Sequence, residues 1–404
     1  MQELAEIDKT KLYNCCKIIK NYTGAMTAEY HRLGDYIREV NVRNRELKVT
    51  RLVGLTIDKA FIPSVANVIG TDLSNYKVIR REQFACSLMQ VSRDGKMPVA
   101  MFDDDEAIMS PAYPMFEVVD KSKLLPQYLM MWFSRKEFDR EASYYAVGGV
   151  RGSLEWGDFC NMQLPVPSIE RQREIVSEYE TLTRRIRLNN QMIEKLEATA
   201  QALYRHTFVD NIDKQNLPQG WHLGTIGDFC KEMKSGGTPN RNCNEFWSKK
   251  NYPWLKTGEV QNNVIFDTEE YISQAGLDNS SAKLIPQGSV IMAMYGATAA
   301  QVAYLDCETT TNQACCNIVC HSKVDAAYLF FHLLANQEDI KKLANGGAQE
   351  NLSQELIAQQ PILLFDDKEK KQLFVPILDN LILKYKENKK LTELQSLLLA
   401  KMGQ

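Results

Sequence analysis

Cys315, Cys316, Cys320 and His321 fall in one short stretch, and thiolates with imidazole are the ligands zinc prefers. Structural zinc sites pair their cysteines as C-x-x-C, and no such pair occurs anywhere in the chain, so these thiols read as small core residues of a buried strand. Asp228, Glu232 and Lys234 look like the carboxylate–lysine cluster of a nuclease. An earlier stretch that repeats this one carries Asp35, Glu39 and Asn41, without the lysine, which favours a structural helix or strand. The acidic run Asp103–Glu106 either holds a cation or forms a solvated turn between strands, and the turn is the simpler reading. The Gly95-Lys96 pair is preceded by Gln90 where a phosphate-binding loop needs glycine. The chain has no G-x-G-x-x-G, H-E-x-x-H or G-x-S-x-G, and its five histidines show no zinc-pair spacing. These absences favour a protein that binds over one that catalyses.

The elements that would position such residues are written twice. LGDYIREV from Leu33 recurs as IGDFCKEM from Ile226, and YKVI from Tyr76 as AKLI from Ala282. PVAM from Pro98 recurs as QVAY from Gln301, and SPAYPMFEV from Ser110 as TNQACCNIV from Thr311. YLMMWF from Tyr128 matches YLFFHL from Tyr328, and GGVRGSL from Gly148 matches GGAQENL from Gly346. Six matches in one order indicate a divergent duplication, because a repeated supersecondary unit keeps its order while its loops drift.

Each copy pairs a globular stretch of strand-like and shorter helical runs with one long helix. From Ile169 to Phe208 there is no Gly or Pro, and Ile175, Tyr179, Leu182, Ile186, Asn189, Ile193, Leu196, Ala200 and Leu203 alternate spacings of four and three. That is a coiled-coil seam. Ser168 is placed to cap it, with Glu170 in the first turn. The second helix opens on Asp366 and Glu369, like a capping box, and continues through Leu373, Ile377, Leu381, Tyr385, Asn388, Leu391, Leu394 and Leu398. The two seams should face each other, with Ile186, Asn190, Ile193 and Leu196 against Asn388, Leu391 and Leu394. Because the second helix must return the chain, the pair should be antiparallel. Asn189, Asn190 and Asn388 either fix its register or face solvent. The fold expected is mixed α/β (α+β), an internal duplication of two globular domains joined by two long antiparallel coiled-coil helices about a pseudo-two-fold axis. Its parts are a helical extension (1–32), a first globular domain (33–167), a first long helix (168–210), a second globular domain (211–365) and a second long helix (366–404).

Composition sets the outer limits. With 404 residues, 44% hydrophobic and 25% charged, the chain has ordinary globular proportions. MQELAEIDKT lacks the basic and apolar regions of a signal peptide, and the apolar stretch from Val290 to Leu305 is interrupted by Gly296, Thr298 and Gln301. Two short strands joined by a turn at Gly296-Ala297 suit that stretch better than a membrane helix. Ten cysteines without a signal peptide should be reduced thiols, and a cytoplasmic location with no membrane contact is expected. A net charge of −3 is unlike a protein that neutralises many phosphates alone, so basic groups must be segregated or supplied by partners.

The chain resembles the specificity subunit of type I restriction–modification enzymes along nearly its whole length. LPVPSIERQREIV, from Leu164, is similar to that family's entry into its first conserved helix. SGGTPNR from Ser235, PWLKTGEV from Pro253, SSAKLIPQGSVIMAMYGAT from Ser280 and TTTNQACCNIV from Thr309 resemble one class of its target-recognition domain. QFACSLMQVSRDGKMPVAM from Gln83 and SPAYPMFEV resemble another class. A departure is the extension before Leu33, with Cys15 and Cys16. The resemblance implies a non-catalytic subunit that binds double-stranded DNA, each domain reading half of a bipartite target while the helices set the spacer. It implies two methyltransferase subunits as partners, with motor–nuclease subunits joining the complex. S-adenosylmethionine, Mg²⁺ and ATP would belong to those partners, leaving this chain without a cofactor or metal. Two other readings stay open: an adaptor for a methylation-only or other defence system, and a free-standing nuclease.

On that reading the DNA contacts are basic, polar or Gly-rich loop residues, since phosphates take Arg, Lys and backbone amides while base edges take Arg, Asn and Gln. In the first domain these are Arg43, Asn44, Arg45, Lys48, Arg93 and Arg151. In the second they are Thr238, Asn240, Arg241, Lys256, Tyr295, Thr298 and Gln349. Each is a contact or an ordinary surface residue.

Overall fold

The computed structural model describes residues 29–64, 70–89, 91–147, 152–210, 212–213, 215–344 and 351–403. Most of the N-terminal extension, with Cys15 and Cys16, lies outside the described residues, as do Arg151 and Gln349. The chain forms two compact units. The first runs to Arg185 and takes in the segment from Leu391; the second is Ile186–Lys390.

Unit 1 opens with β1 (Tyr30–Arg32) and β2 (Ile37–Glu39), followed by the hairpin β3 (Val53–Leu55) and β4 (Phe61–Pro63). Next come β5 (Lys77–Arg80), β6 (Phe84–Cys86), β7 (Val99–Met101), β8 (Glu106–Met109), β9 (Met115–Val118) and, after three helices, β10 (Gln163–Pro165). Its main sheet has the antiparallel order β2-β9-β6-β7, and β1 pairs with β10. Unit 2 has β11 (His222–Thr225), β12 (Glu232–Ser235), β13 (Tyr252–Leu255), β14 (Asn263–Ile265), β15 (Glu270–Ile272), β16 (Val290–Ala293), β17 (Val302–Leu305), β18 (Thr310–Thr311), β19 (Cys315–Val319) and β20 (Pro361–Leu364). Its sheet has the order β12-β19-β16-β17-β14, and β11 pairs with β20. Strand for strand, β2-β9-β6-β7 is matched by β12-β19-β16-β17, so the repeated sequence corresponds to a repeated topology. Unit 2 adds β14, parallel to β17, and a second sheet of order β15-β13-β18.

The pairing corrects one alignment. Phe84 pairs with Phe116 in unit 1 and Val290 with Ile318 in unit 2. With β6 matched to β16, Phe116 therefore corresponds to Ile318, one residue beyond the match that set Ser110 on Thr311. A one-residue slip turns every side chain to the other face. The slipped alignment would equate buried, ring-stacked Phe116 with Asn317, which lies on the opposite face.

Both faces of each sheet are covered, which is why the strands read as apolar runs without alternation. In unit 1 the rings of Phe84, Phe116, Phe133 and Phe159 fill one side, and Ala85, Phe102 and Met115 the other. In unit 2 Val290, Met292 and Ile318 face one core, and Ile291, Ala293 and Cys315 a second. Two helices cover the first face in each case. Unit 1 has α1 (Pro126–Phe133), with Pro126 starting its first turn where a missing N–H costs nothing, and α2 (Lys136–Tyr145).

The first long helix, α3 (Ile169–Arg205), spans about 55 Å. Ser168 caps it, its Oγ accepting from the Arg171 N–H at 3.4 Å. Unit 2 has α4 (Lys323–Ala335), capped by the Ser322 side chain and buried almost all round, then α5 (Gln337–Ala344). The second long helix does not run unbroken from Asp366. A short helix at Lys368–Gln372, capped by Asp367 and not Asp366, turns at Leu373–Phe374, and α6 (Val375–Lys401) starts afresh. Pro376 explains the break, because it has no N–H to continue the ladder.

The helices meet along their seam. In unit 2, Asn189 is buried and its Nδ2 donates to Asn388 Oδ1 at 3.0 Å, while Asn388 Nδ2 donates to Asn190 Oδ1 at 2.7 Å. In unit 1, Gln395 Nε2 donates to Thr183 Oγ1 at 2.7 Å. Numbers rise along α3 as they fall along α6, so the pair is antiparallel. Ile193 is buried, Ile186, Leu196, Leu391 and Leu394 are half-buried, and Asn190 sits at the rim. Among the described residues no helix is long and apolar enough to cross a membrane.

Candidate nucleic-acid interface

The end of β12, the start of β19, the end of β16 and the start of β17 lie at one end of the unit 2 sheet. Their connecting loops therefore gather there. Met294 N–H donates to the Ala314 carbonyl at 2.9 Å, and Leu352 N–H donates to the Met294 carbonyl at 2.8 Å. Gly237 N–H donates to the Thr311 carbonyl at 2.8 Å, and Ser235 Oγ donates to Gln354 Oε1 at 3.0 Å. Two glycines allow this closeness: a Cβ on Gly236 would overlap the Thr311 and Asn312 carbonyls, and one on Gly237 would overlap Ser281. Below the loop, fully buried Asn317 donates to the Lys234 carbonyl at 3.0 Å and to Thr311 Oγ1 at 2.9 Å. Trp254 Nε1 holds the Gly237 carbonyl at 3.0 Å. The result is a loop with a fixed backbone.

At its tip Thr238 Oγ1 donates to Gln313 Oε1 at 2.5 Å. Asn240 turns the chain, its Oδ1 accepting from the Asn242 N–H at 3.0 Å. Arg241 is held against the surface: its guanidinium lies 3.8 Å from the centre of the Trp247 ring and 4.5 Å from that of Trp254, and it pairs with Glu270. Lys256 pairs with Glu269 at 2.8 Å and Glu270 at 3.1 Å, and those hydrogen bonds push its pKa up. Arg241, followed by Lys256, holds the Glu270 carboxyl below its ordinary value. Both cations thus act first as loop anchors. Tyr295 is exposed on the turn after β16, and Thr298 Oγ1 donates to its carbonyl at 3.4 Å.

Unit 1 gathers the equivalent loops, and Leu154 N–H donates to the Leu88 carbonyl at 2.8 Å as Leu352 does to Met294. Its loop after β2 differs. Asn44 is buried, its Nδ2 donates to the Val49 carbonyl and its Oδ1 accepts from the Val49 N–H, so its side chain shapes the turn. Arg43 Nη1 donates to the Asn75 carbonyl at 2.6 Å. Lys48 is exposed beside Glu46, and Arg93 pairs with Asp94 at 2.7 Å. Arg45 is exposed with no ion-pair partner among the described residues.

The residues with nuclease-like spacing have structural roles. Asp228 forms a capping box with Thr225, and Lys234 pairs with Glu232 at 2.8 Å. Cys315 and Cys316 are buried strand residues, and burial pushes the Cys315 thiol up to about 12. Among the described residues no group of three His, Cys, Asp or Glu could hold a metal ion. The surface offers hydroxyls, amides, backbone N–H groups and cations on stiff loops, which is the chemistry of recognition. Gln313, Asn317 and Gln354 were missed by sequence reasoning. Gln313 gave no clear signal, since it follows Thr309, Thr310, Thr311 and Asn312 in a polar stretch and only the turn between β18 and β19 exposes it.

Residues 218–396 match the family model described as "Type I restriction modification DNA specificity domain". The specificity subunit of the Escherichia coli type I restriction enzyme EcoR124I/EcoR124II is 24% identical over 273 residues, 62% of this chain and 63% of that one. The chain therefore spans less than two thirds of that relative. The HindI specificity subunit of Haemophilus influenzae is 22% identical over 380 residues, 74% of this chain and 81% of that one. The crystal structure of a type I restriction–modification S subunit from M. genitalium superposes with a TM-score of 0.59 at 13% identity, covering 95% of this chain and 98% of that one, and so shares its fold. Residues 218–396 therefore match a type I restriction–modification DNA specificity domain, and the chain is similar to specificity subunits of such systems and shares the fold of one of them.

Proposed function

We propose that this chain is the non-catalytic DNA-reading subunit of a type I restriction–modification complex. Each unit reads one half of a bipartite, asymmetric target in double-stranded DNA, and the two long helices set the unread spacer. Two methyltransferase subunits methylate adenine at the sites so chosen, and motor–nuclease subunits cut unmodified DNA, with S-adenosylmethionine, Mg²⁺ and ATP bound by those partners. The observation carrying this reading is the doubled topology: two units of one strand order, each gathering polar loops at the same end of its sheet. Base readout is then local to a unit, because specificity comes from side chains reaching base edges.

The test replaces residues 225–360 with the matching domain of a relative and maps methylated bases across the host genome. One half of the target should change and the other persist. Simultaneous change of both halves, or persistence of the old site, would refute the two-reader reading.

A further inference from the structure

The tip of the second unit's loop carries a more specific assignment, which rests on the reading of this chain as a DNA-reading subunit. Between Thr309 and Val319 every side chain is buried or half-buried except Gln313. The strand on either side of it is fixed by Asn317, by the Gly236–Thr311 close approach and by the Gly237–Thr311 hydrogen bond. Gln313 is therefore a flexible side chain on a stiff base. Its amide is also oriented, because the Thr238 hydroxyl donates to Oε1 at 2.5 Å, a contact that uses neither of the two hydrogens an amide Nε2 carries. The Oε1 atom keeps a second lone pair.

We propose that Gln313 is a base-reading side chain that recognises an adenine edge in the major groove, with Thr238 as the residue that positions its amide. Adenine presents there one donor, N6–H, beside one acceptor, N7, and a glutamine amide matches both through Oε1 and Nε2. Guanine presents two acceptors in the same place, so a pinned Oε1 faces another oxygen and the pair is rejected. A Gln313 free to rotate would lose affinity to the ordering of its side chain, and the Thr238 contact lowers that entropic cost in advance. Unit 1 has Pro111 where unit 2 has Gln313 on the corrected strand alignment, so the readout belongs to one half of the target only.

The experiment expresses the full chain and its variants with the host methyltransferase and maps the methylated motif. Gln313→Ala should make one adenine position in one half of the target tolerant of other bases, a loss of discrimination of roughly 5- to 150-fold. Thr238→Val, which keeps the shape and removes the hydroxyl, should relax that same position to a smaller extent. Gln313→Glu, an acceptor only, should shift the preference there toward cytosine, whose N4 donates. If the wild-type complex methylates no defined bipartite motif, the underlying reading fails whatever Gln313 does. A wild-type motif kept by all three variants, with methylation intact or uniformly lowered, refutes the assignment and makes Gln313 a structural or phosphate contact. Thermal unfolding of Thr238→Val keeps the test valid should Gln313→Ala fold poorly.

Discussion

The two units are built on one strand order but end in opposite surface chemistry. In unit 1 the loop after β2 has no glycine and displays Arg45 and Lys48 to solvent, with Asn44 turned inward to hold the bend. In unit 2 the corresponding loop packs through Gly236 and Gly237 onto Thr311 and Ser281, its Arg241 and the neighbouring Lys256 after β13 are tied to carboxylates, and its Thr238 forms an uncharged pair with Gln313. The sheet cannot vary freely because both its faces are buried. The tips can, since they answer only to their own turn geometry. Duplication of this kind keeps the core and diversifies the edge.

The largest expected difference is one of acid stability. Burial pushes His332 down from 6.5 to about 4, against a smaller opposing effect of the Pro361 carbonyl. Its sibling position in the repeated helix is Trp132, which does not titrate. A depressed histidine is neutral in the folded state and protonated in the unfolded one between those two values. Its stabilisation is therefore complete above pH 6.5 and disappears as pH falls toward 4, a loss of about 3 kcal/mol. Hydrogen exchange at β16 should accelerate over that window more than at β6, and His332→Gln should abolish the difference. Equal acceleration in both strands would mean that the units do not differ in this respect.

A smaller effect follows from Gly236. Gly236→Ala forces a Cβ onto backbone carbonyls that cannot yield, and should destabilise unit 2 by about 1–3 kcal/mol in thermal unfolding. Unit 1 offers no equivalent site, so its unfolding should be unchanged. Smallest is the salt response of DNA binding. Arg45→Ala should reduce the slope of log affinity against log salt by about 1, whereas Lys256→Ala, removing a charge already paired with Glu269 and Glu270, should leave it unaltered. Equal slopes for both variants would erase the distinction between a charged tip and a neutralised one.

Sequence patterns revealed the doubled unit and the long helices because both depend on periodic apolar positions. The asparagine seam was visible for the same reason, with Asn388 bridging Asn189 and Asn190. Strand register differs by one at Thr311 from the sequence match, because β18 and β19 are buried on both faces and alternation gives no marker. The break before Val375 was overlooked although Pro376 announces it, because the apolar seam continues across the turn. Loop chemistry was the least legible. Nothing local shows that Arg241 packs against two tryptophans or that Asn44 turns inward, since their partners come from other elements or depend on the bend itself.

Unit 1 is closed by the far end of the chain. Met402 lies in its core, and Tyr30 Oη donates to the Gly403 carbonyl at 2.8 Å, across 373 residues. During synthesis, at about 5–20 residues per second, the first unit to leave the ribosome must therefore wait roughly ten seconds or more for its last piece while the whole second unit is made. The second unit, nearly continuous in sequence, is able to finish first. An N-terminal half released early would expose the apolar bed of Ile175, Val176 and Tyr179 where Leu399 and Met402 belong, so truncated nascent chains should depend on chaperones more than full-length ones.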